Sequence, residues 1–257
     1  MKRLTLLVPA YREGESLASN LEHIIEGLNT ARIPFEIIVI VDTVPDDDTQ
    51  EVARRIASTH PEIRLLIREG RQGVGTAIST GITAASGEIV MPVMGDASES
   101  PGDVITVALK AYEGFDIVVG NRFLKKTMIL GYPPLKYCLN RLCNLFVRLL
   151  LRVPTSDITN AFKAYSKRVL KDLDLRSKGY SIFLELPIRA YLSGRGRLAE
   201  VPVHHVAAWK MHGLRTFRDG LPYCFVLIRM LFERQVGICT KLRTCARSLA
   251  RAAPMRF

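Results

Sequence analysis

At 257 residues the chain is long enough for one large α/β domain with a C-terminal extension, and 48% hydrophobic with 7% aromatic residues describes a full core rather than a disordered chain. A net charge of +11 points to anionic partners, either phosphorylated small molecules or an anionic membrane face; nucleic acid is set aside because no recognised module or stacking platform accompanies the basic residues. Five cysteines without Cys-x-x-Cys spacing argue against a zinc site or a disulfide framework and fit a reducing cytosol.

The first half alternates strand and helix. Strands are predicted at Leu4–Val8, Phe35–Val41, Ile63–Ile67, Ile89–Met94 and Asp116–Gly120, with helices at Glu13–Asn29, Asp47–Thr59, Gly73–Ala85 and Gly102–Tyr112 between them. Short apolar strands without strict alternation, separated by helices, predict a parallel sheet covered on both faces. Right-handed crossovers then gather the loops that follow the strands on one edge, where open α/β sheets bind ligands. That edge collects Pro9–Gly14, Asp42–Thr49, Arg68–Gly75 and Gly95–Ser100 as a single site.

After Gly120 the texture changes. Residues 121–135 are a basic connection, and Lys136–Arg152 is predicted as an amphipathic helix with Asn140, Arg141, Asn144, Arg148 and Arg152 on one stripe. A loop at Pro154–Asn160, a short strand, a helix at Ile182–Leu192, a strand at Val201–Val206, a helix at Asp219–Gln235 and a basic tail at 241–257 follow. Cys138 and Cys143, set among apolar residues, read as packing. No apolar run reaches the roughly eighteen residues of a membrane span; the best candidate, Leu221–Phe232, is short and contains Arg229. With no signal peptide before the first strand, the expected location is cytoplasmic, or peripheral on the cytoplasmic membrane face.

Four loops carry the chemistry. Val8-Pro9-Ala10-Tyr11-Arg12-Glu13 ends the first strand, where Tyr11 can stack on a base and Glu13 can bond base or ribose, or Glu13 can simply favour a helix N-terminus. Asp42 stands at the tip of the second strand, the place of ribose- and base-binding acids, while Asp46 and Asp48 read as helix caps. Gln72-Gly73-Val74-Gly75 opens a helix, where glycines admit a ligand to the backbone and the N-terminus favours anions. Met94-Gly95-Asp96-Ala97-Ser98-Glu99-Ser100-Pro101 puts hard oxygen ligands at the end of the fourth strand, suited to Mg²⁺ or Mn²⁺ on a diphosphate, or to capping the next helix.

In order and spacing these loops resemble those of family 2 glycosyltransferases: Pro9-Ala10-Tyr11-x-Glu13, Asp42…Asp47-x-Thr49, Gly73-x-Gly75-x-Ala77…Gly81…Ala85-x-Gly87-Glu88 and Asp96-x-Ser98-Glu99-x-Pro101. The branch most similar is the polyprenol (dolichol) phosphate sugar synthases. Gly120-x-Arg122-Phe123, Ser156-Asp157-Ile158-Thr159-Asn160-Ala161-Phe162-Lys163, Glu185 and Glu200-Val201-Pro202-Val203 extend the match over roughly residues 4–235. The resemblance implies a GT-A fold, a mostly parallel sheet with helices on both faces, plus a C-terminal amphipathic helix and basic tail. It divides the chain into a transferase domain at 1–235, with a nucleotide-sugar half at 1–120 and an acceptor half at 121–217, and a tail at 218–257.

It further implies an inverting transferase that uses a UDP- or GDP-linked sugar with Mg²⁺ or Mn²⁺. Pro9, Tyr11, Glu13, Asp42, Gln72, Gly73, Asp96, Ala97, Lys210 and Arg215 would hold the donor, and Asp96 with Glu99 the metal. The family's Asp-Asp is Asp42-Thr43 here, its Asp-x-Asp is Asp96-x-Ser98-Glu99, and its Arg-x-x-Gly-x-Ser-Lys is Lys210-Met211-His212-Gly213-Leu214-Arg215-Thr216. Asp96, Arg122 and Asp157 are the catalytic candidates. Asp157 acts as general base if the acceptor is an alcohol, or orients a cation or the sugar if the acceptor is an already ionised lipid phosphate. Helix 136–152 and the basic tail would meet a membrane surface on the lipid-phosphate reading. A soluble family 2 enzyme acting on a hydroxyl or amine, and a binding-only relative, stand as alternatives.

Overall fold

The computed structural model describes residues 3–70, 72–96, 99–125, 134–194, 196–204 and 221–234. In chain order the elements are β1 (Leu4–Ala10), α1 (Glu15–Thr30), β2 (Phe35–Thr43), α2 (Thr49–Thr59), β3 (Ile63–Glu69), α3 (Val74–Ala84), β4 (Ile89–Pro92), α4 (Pro101–Tyr112) and β5 (Ile117–Asn121). The second half adds α5 (Pro134–Phe146), a π-helical turn (Val147–Leu151), β6 (Lys163–Ser166), α6 (Lys167–Leu170), α7 (Ile182–Leu192) and β7 (Leu198–Pro202). A last helix, α8, spans 221–234.

The strands form one seven-stranded sheet in the order β3-β2-β1-β4-β6-β5-β7. Successive strand residues point to opposite faces, and both faces are apolar: Leu4, Leu6, Val8, Ile37, Val39 and Val41 pack on one side, Leu7, Ile38 and Ile40 on the other. Helices α1, α2 and α4 contribute to the first layer, α3 and α7 to the second. The sheet is mostly parallel, as expected, with one exception: β6 runs antiparallel between β4 (Val90↔Tyr165) and β5 (Val118↔Ala164). The strand predicted at Val201–Val206 begins earlier, because the parallel ladder with β5 runs from Ile117↔Leu198 to Asn121↔Pro202.

The amphipathic segment at 136–152 is not one continuous α-helix. It is α5 followed by the π turn, closed by Arg152 in the left-handed region (φ 57°). Its polar stripe divides: Asn144 turns inward, while Arg141, Arg148 and Arg152 stay exposed. Asn144 is buried, accepting from Ile158 N (2.6 Å) and donating to Asn140 O (2.7 Å), and Arg141 donates to Ser156 O (3.2 Å). On the apolar side Val147 and Leu151 are buried, while Leu142 and Leu149 are each 64% exposed. Cys143 packs as predicted, but Cys138 is exposed. Helix α8 lies against α7 through Val226 and Met230, which share an apolar cluster with Leu184 and Ile188.

Candidate active site

The carboxyl ends of the parallel strands carry three hydrogen-bonded knots. The first joins the loops after β1 and β2. Asp47 accepts from Arg12 N (3.1 Å) and Thr49 N (3.0 Å), and the Thr49 hydroxyl accepts from Glu13 N (2.9 Å) and Gly14 N (3.2 Å). This arrangement corrects the capping expected of Asp46 and Asp48: Asp48 occupies the N-cap of α2 without a side-chain bond, and Asp47 takes the amide instead. Arg12 sits in the left-handed region (φ 57°), a conformation the Asp47 contact helps to hold.

Glu13 lies in that knot with Gly95 against its side chain; a Cβ on Gly95 would stand 3.2 Å from Glu13 Cγ and 3.4 Å from Pro9 O. Burial, then the charges of Asp96 and Asp47, push the Glu13 carboxyl up to about 7. Pro9, Glu13 and the Gly95–Asp96 turn are therefore brought together, with Tyr11 half-buried beside them.

Among the described residues no group of three His, Cys, Asp or Glu side chains is placed to hold a metal ion. Asp96 is exposed and Glu13 carries like-charge strain that a cation would relieve. One or two carboxylates, completed by substrate phosphates and water, is the donor set Mg²⁺ commonly takes, so these residues fit a cation that arrives with a diphosphate. Glu99 is placed differently. It is buried, accepts from Met94 N (3.0 Å), and burial together with the charges of Asp96 and Asp103 raises its carboxyl to about 8. It braces the loop from within.

The second knot is built on Asp42. Its Oδ2 accepts from Gln72 N (2.9 Å) and Gly73 N (3.0 Å), and the buried Arg68 guanidinium pairs with Oδ1. The anion expected at the N-terminus of α3 is thus supplied by the protein itself. The two glycines also serve a different neighbour from the ligand predicted. Gly73 adopts φ 92°, and a Cβ there would lie 2.6 Å from Lys178 O; a Cβ on Gly75 would lie 2.1 Å from Ser177 O. What approaches is the backbone of residues 177–178, whose Lys178 O accepts from Gly75 N at 2.7 Å. Arg68, absent from the sequence candidates, was signalled only by a charge at the end of an apolar strand.

The third knot is at β5. Asp157 has no exposed surface, and Arg122 grips it with N (2.9 Å) and Nε (2.9 Å) on Oδ2 and Nη2 (2.7 Å) on Oδ1. Thr159 joins them, accepting from Arg122 Nη2 at 3.1 Å. Beneath lies Lys163, wholly buried, another residue outside the sequence candidates. Its Nζ donates to Asn160 O and to Phe183 O (3.3 Å). Phe183 O needs that donor: Pro187 stands four residues on within α7 and has no N–H to give it. Burial brings the Lys163 amine down to about 7, with Asp157 opposing the shift and Arg122 adding to it. Ala97, Lys210 and Arg215 lie outside the described residues, as do His205, Trp209 and the basic tail.

A family model for Glycosyl transferase family 2 matches residues 5–174. The chain belongs to that family. It is a glycosyltransferase. Dolichol-phosphate mannosyltransferase of Pyrococcus furiosus is 27% identical over 206 residues, 78% of this chain; the chain spans only 55% of that protein's length. Polyprenol monophosphomannose synthase of Mycolicibacterium smegmatis is 27% identical over 209 residues, covering 79% of this chain and 77% of its own. Undecaprenyl-phosphate mannosyltransferase of Micrococcus luteus is 26% identical over 210 residues, covering 79% and 84%.

Among solved structures, glucosyl-3-phosphoglycerate synthase from Mycobacterium tuberculosis with Mn²⁺, UDP and phosphoglyceric acid superposes with a TM-score of 0.66 at 19% identity, over 90% of this chain and 78% of that one. The same synthase with Mg²⁺ and UDP gives 0.62 at 19% identity, over 90% and 79%. At such identities the likeness establishes the fold. The GT-A architecture expected of this family 2 enzyme is the one observed. No described helix is long and apolar enough to cross a membrane.

Proposed function

We propose that this glycosyltransferase moves a hexosyl group from a nucleotide-diphosphate sugar to a polyprenyl phosphate, with inversion at the anomeric carbon. The observation that carries the acceptor assignment is the state of Asp157, wholly buried and held through both oxygens by Arg122. A carboxylate engaged in this way orients a cation; it is poorly placed to take a proton from an incoming hydroxyl. A phosphate monoester acceptor needs no such base, since its oxygen is already ionised. That oxygen would attack the anomeric carbon as the bond to the donor's β-phosphate oxygen breaks, the electron pair leaving with the nucleoside diphosphate. The names of the three relatives support the same acceptor class.

On this reading the edge formed by Pro9, Tyr11, Glu13 and Asp42 receives the nucleotide, with Gln72 and Gly73 shaping it through their amides. Asp96 is the protein's ligand to a divalent cation, with Glu99 bracing its loop. When bound, that cation supplies charge neutralisation to the departing diphosphate. Arg122 adds a fixed positive charge, preorganised by Asp157; Lys210 and Arg215 stay candidates for the phosphate oxygens. The exposed leucine row of α5 and the exposed face of α8, where Phe225 is 70% and Phe232 68% exposed, support a peripheral membrane contact.

The test is release of nucleoside diphosphate from a panel of UDP- and GDP-sugars, GDP-mannose included, with Mg²⁺ or Mn²⁺, with and without a short polyprenyl phosphate. Lipid-dependent release, stopped by chelation, is expected. Donor binding without lipid-dependent release would move the acceptor to a soluble hydroxyl or amine.

A further inference from the structure

Glu185 is a densely bonded buried carboxylate, and it lies outside the three knots. It stands in the first turn of α7 with no exposed surface. Two backbone amides, Ser177 N (2.8 Å) and Arg176 N (3.2 Å), and two guanidinium groups, Arg189 Nε (2.8 Å) and that of Arg229, converge on it. Burial alone would raise its carboxyl, but the bonds from Ser177 and Arg189 and the charge of Arg229 hold it below the usual carboxylate range. Arg229 comes from α8, and α8 is tied down a second time by Glu233, which pairs with Arg189 at 2.9 Å.

On its other side Glu185 fixes the segment whose backbone lies against the donor-side glycines. Ser177 N is bonded to Glu185, the next carbonyl, Lys178 O, accepts from Gly75 N, and two residues back the amides of Gln72 and Gly73 reach Asp42. A path of hydrogen bonds joined by one to three residues of backbone therefore runs from α8 to the tip of β2. One end is a helix with a largely apolar exposed face; the other is the edge assigned above to the nucleotide.

We propose that Glu185 is a positioning residue through which the seating of α8 on the body sets the 72–75 loop and hence the affinity for the donor nucleotide. The proposal rests on the donor-edge assignment and extends it: whatever holds α8 in place, on the lipid-facing side of the enzyme, strengthens donor binding, and bound donor strengthens the seating of α8 by the same factor. The alternative role for the network is a purely structural brace, which would loosen the whole fold when cut.

The experiment uses the full chain in four forms: wild type, Glu185→Gln, Arg229→Met and Glu233→Gln. Hydrogen exchange is followed at the amides of 72–78, and donor and acceptor kinetics are measured on the same samples. In the folded variants, exchange at 72–78 is expected to rise about tenfold while β1 and β2 stay protected. The donor KM should rise about tenfold with kcat at saturating donor little changed and the acceptor KM unmoved. Arg229→Lys, which keeps the charge, should recover most of the loss. Unchanged exchange at 72–78, or a uniform rise across the sheet, overturns the proposal. Failure of the wild type to bind GDP or UDP overturns the donor assignment instead, and the exchange data still decide whether α8 governs the loop. Glu233→Gln leaves Glu185 and Arg229 intact, so the link stays measurable if the other variants do not fold.

Discussion

Replacing Gly75 by Ala sets two effects of opposite sign against each other. Gly75 lies in the first turn of α3, where Ala is intrinsically better than Gly by about 1 kcal/mol. The new Cβ, however, would stand 2.1 Å from Ser177 O and 2.7 Å from Lys178 C, both backbone atoms. Ordinary contact begins near 3.4 Å, so the 177–178 backbone must retreat by more than an ångström. That movement breaks the 2.7 Å bond from Gly75 N to Lys178 O, at about 1 kcal/mol, and adds an overpacking cost of about 1–3 kcal/mol. The net is a loss of about 1–3 kcal/mol. Gly179 is the control: it is in the same segment with nothing within 4 Å of a Cβ, and Gly179→Ala should leave stability unchanged or slightly raised. Urea unfolding of the two variants measures the difference. A Gly75→Ala protein as stable as wild type, with donor affinity intact, would refute the claim that the glycine pair exists to admit the 177–178 backbone.

Asp157→Asn and Arg122→Met each leave one member of a buried pair without its partner, at about 3–5 kcal/mol; both should lose turnover to a similar degree, and the double variant should lose little more. A large loss of kcat for Asp157→Asn with Arg122→Met nearly active would restore Asp157 as a base. Glu36 accepts from the Thr5 hydroxyl (2.6 Å), Ser86 N (2.6 Å) and Gly87 N (3.2 Å); burial opposes ionisation, but these bonds lower its carboxyl from 4.5 to about 2. Because the folded value lies below the unfolded one, Glu36 stabilises fully above about pH 4.5, by ~3 kcal/mol, and loses this as pH falls towards 2. The stability gap between wild type and Glu36→Gln should therefore shrink by roughly half or more from pH 6 to pH 3, and an equal gap at both would contradict it. Leu142→Glu with Leu149→Glu should leave the unfolding midpoint within about 0.5 kcal/mol and cut sedimentation with anionic vesicles roughly tenfold or more; undiminished sedimentation would remove α5 from the membrane contact.

The nucleotide half of the fold is legible because its signals are local. In β1 through β5 each strand is a short, mostly apolar run, and of helices α1 to α4 the last has a side-chain cap, Ser100 accepting from Asp103 N ahead of Pro101. The short strand expected after Asn160 is β6, but its place and antiparallel direction had no such local signal. It is four residues long, Lys163-Ala164-Tyr165-Ser166, and its place between β4 and β5 is decided by partners such as Val90 and Ile117, more than forty residues away along the chain (an ordering only non-local pairing sets). The start of β7 was displaced for the same reason: Leu198 and Ala199 are half-exposed, so their strand character comes from the ladder with β5 rather than from an apolar pattern.

The site was legible as a set of positions, less so as a set of partners. Asp42, Gly73 and Gly75 were picked out as ligand-facing, yet their nearest neighbours are one another's amides and the 177–178 backbone, which lies about a hundred residues on in sequence. Asp157 and Arg122 were picked out separately, and only the fold makes them a single unit. The stripe on α5 carries the same lesson with the opposite sign. Amphipathicity defines two faces without saying which one meets the protein. Here Asn144 caps the amide of Ile158 and Arg141 reaches Ser156 O, while on the apolar side Val147 and Leu151 are buried and Leu142 and Leu149 are exposed. The element that steadies the Ser156–Ile158 loop through Asn144 and Arg141 thus also carries an exposed row of leucines, and periodicity alone does not separate those leucines from the buried Val147 and Leu151 beside them.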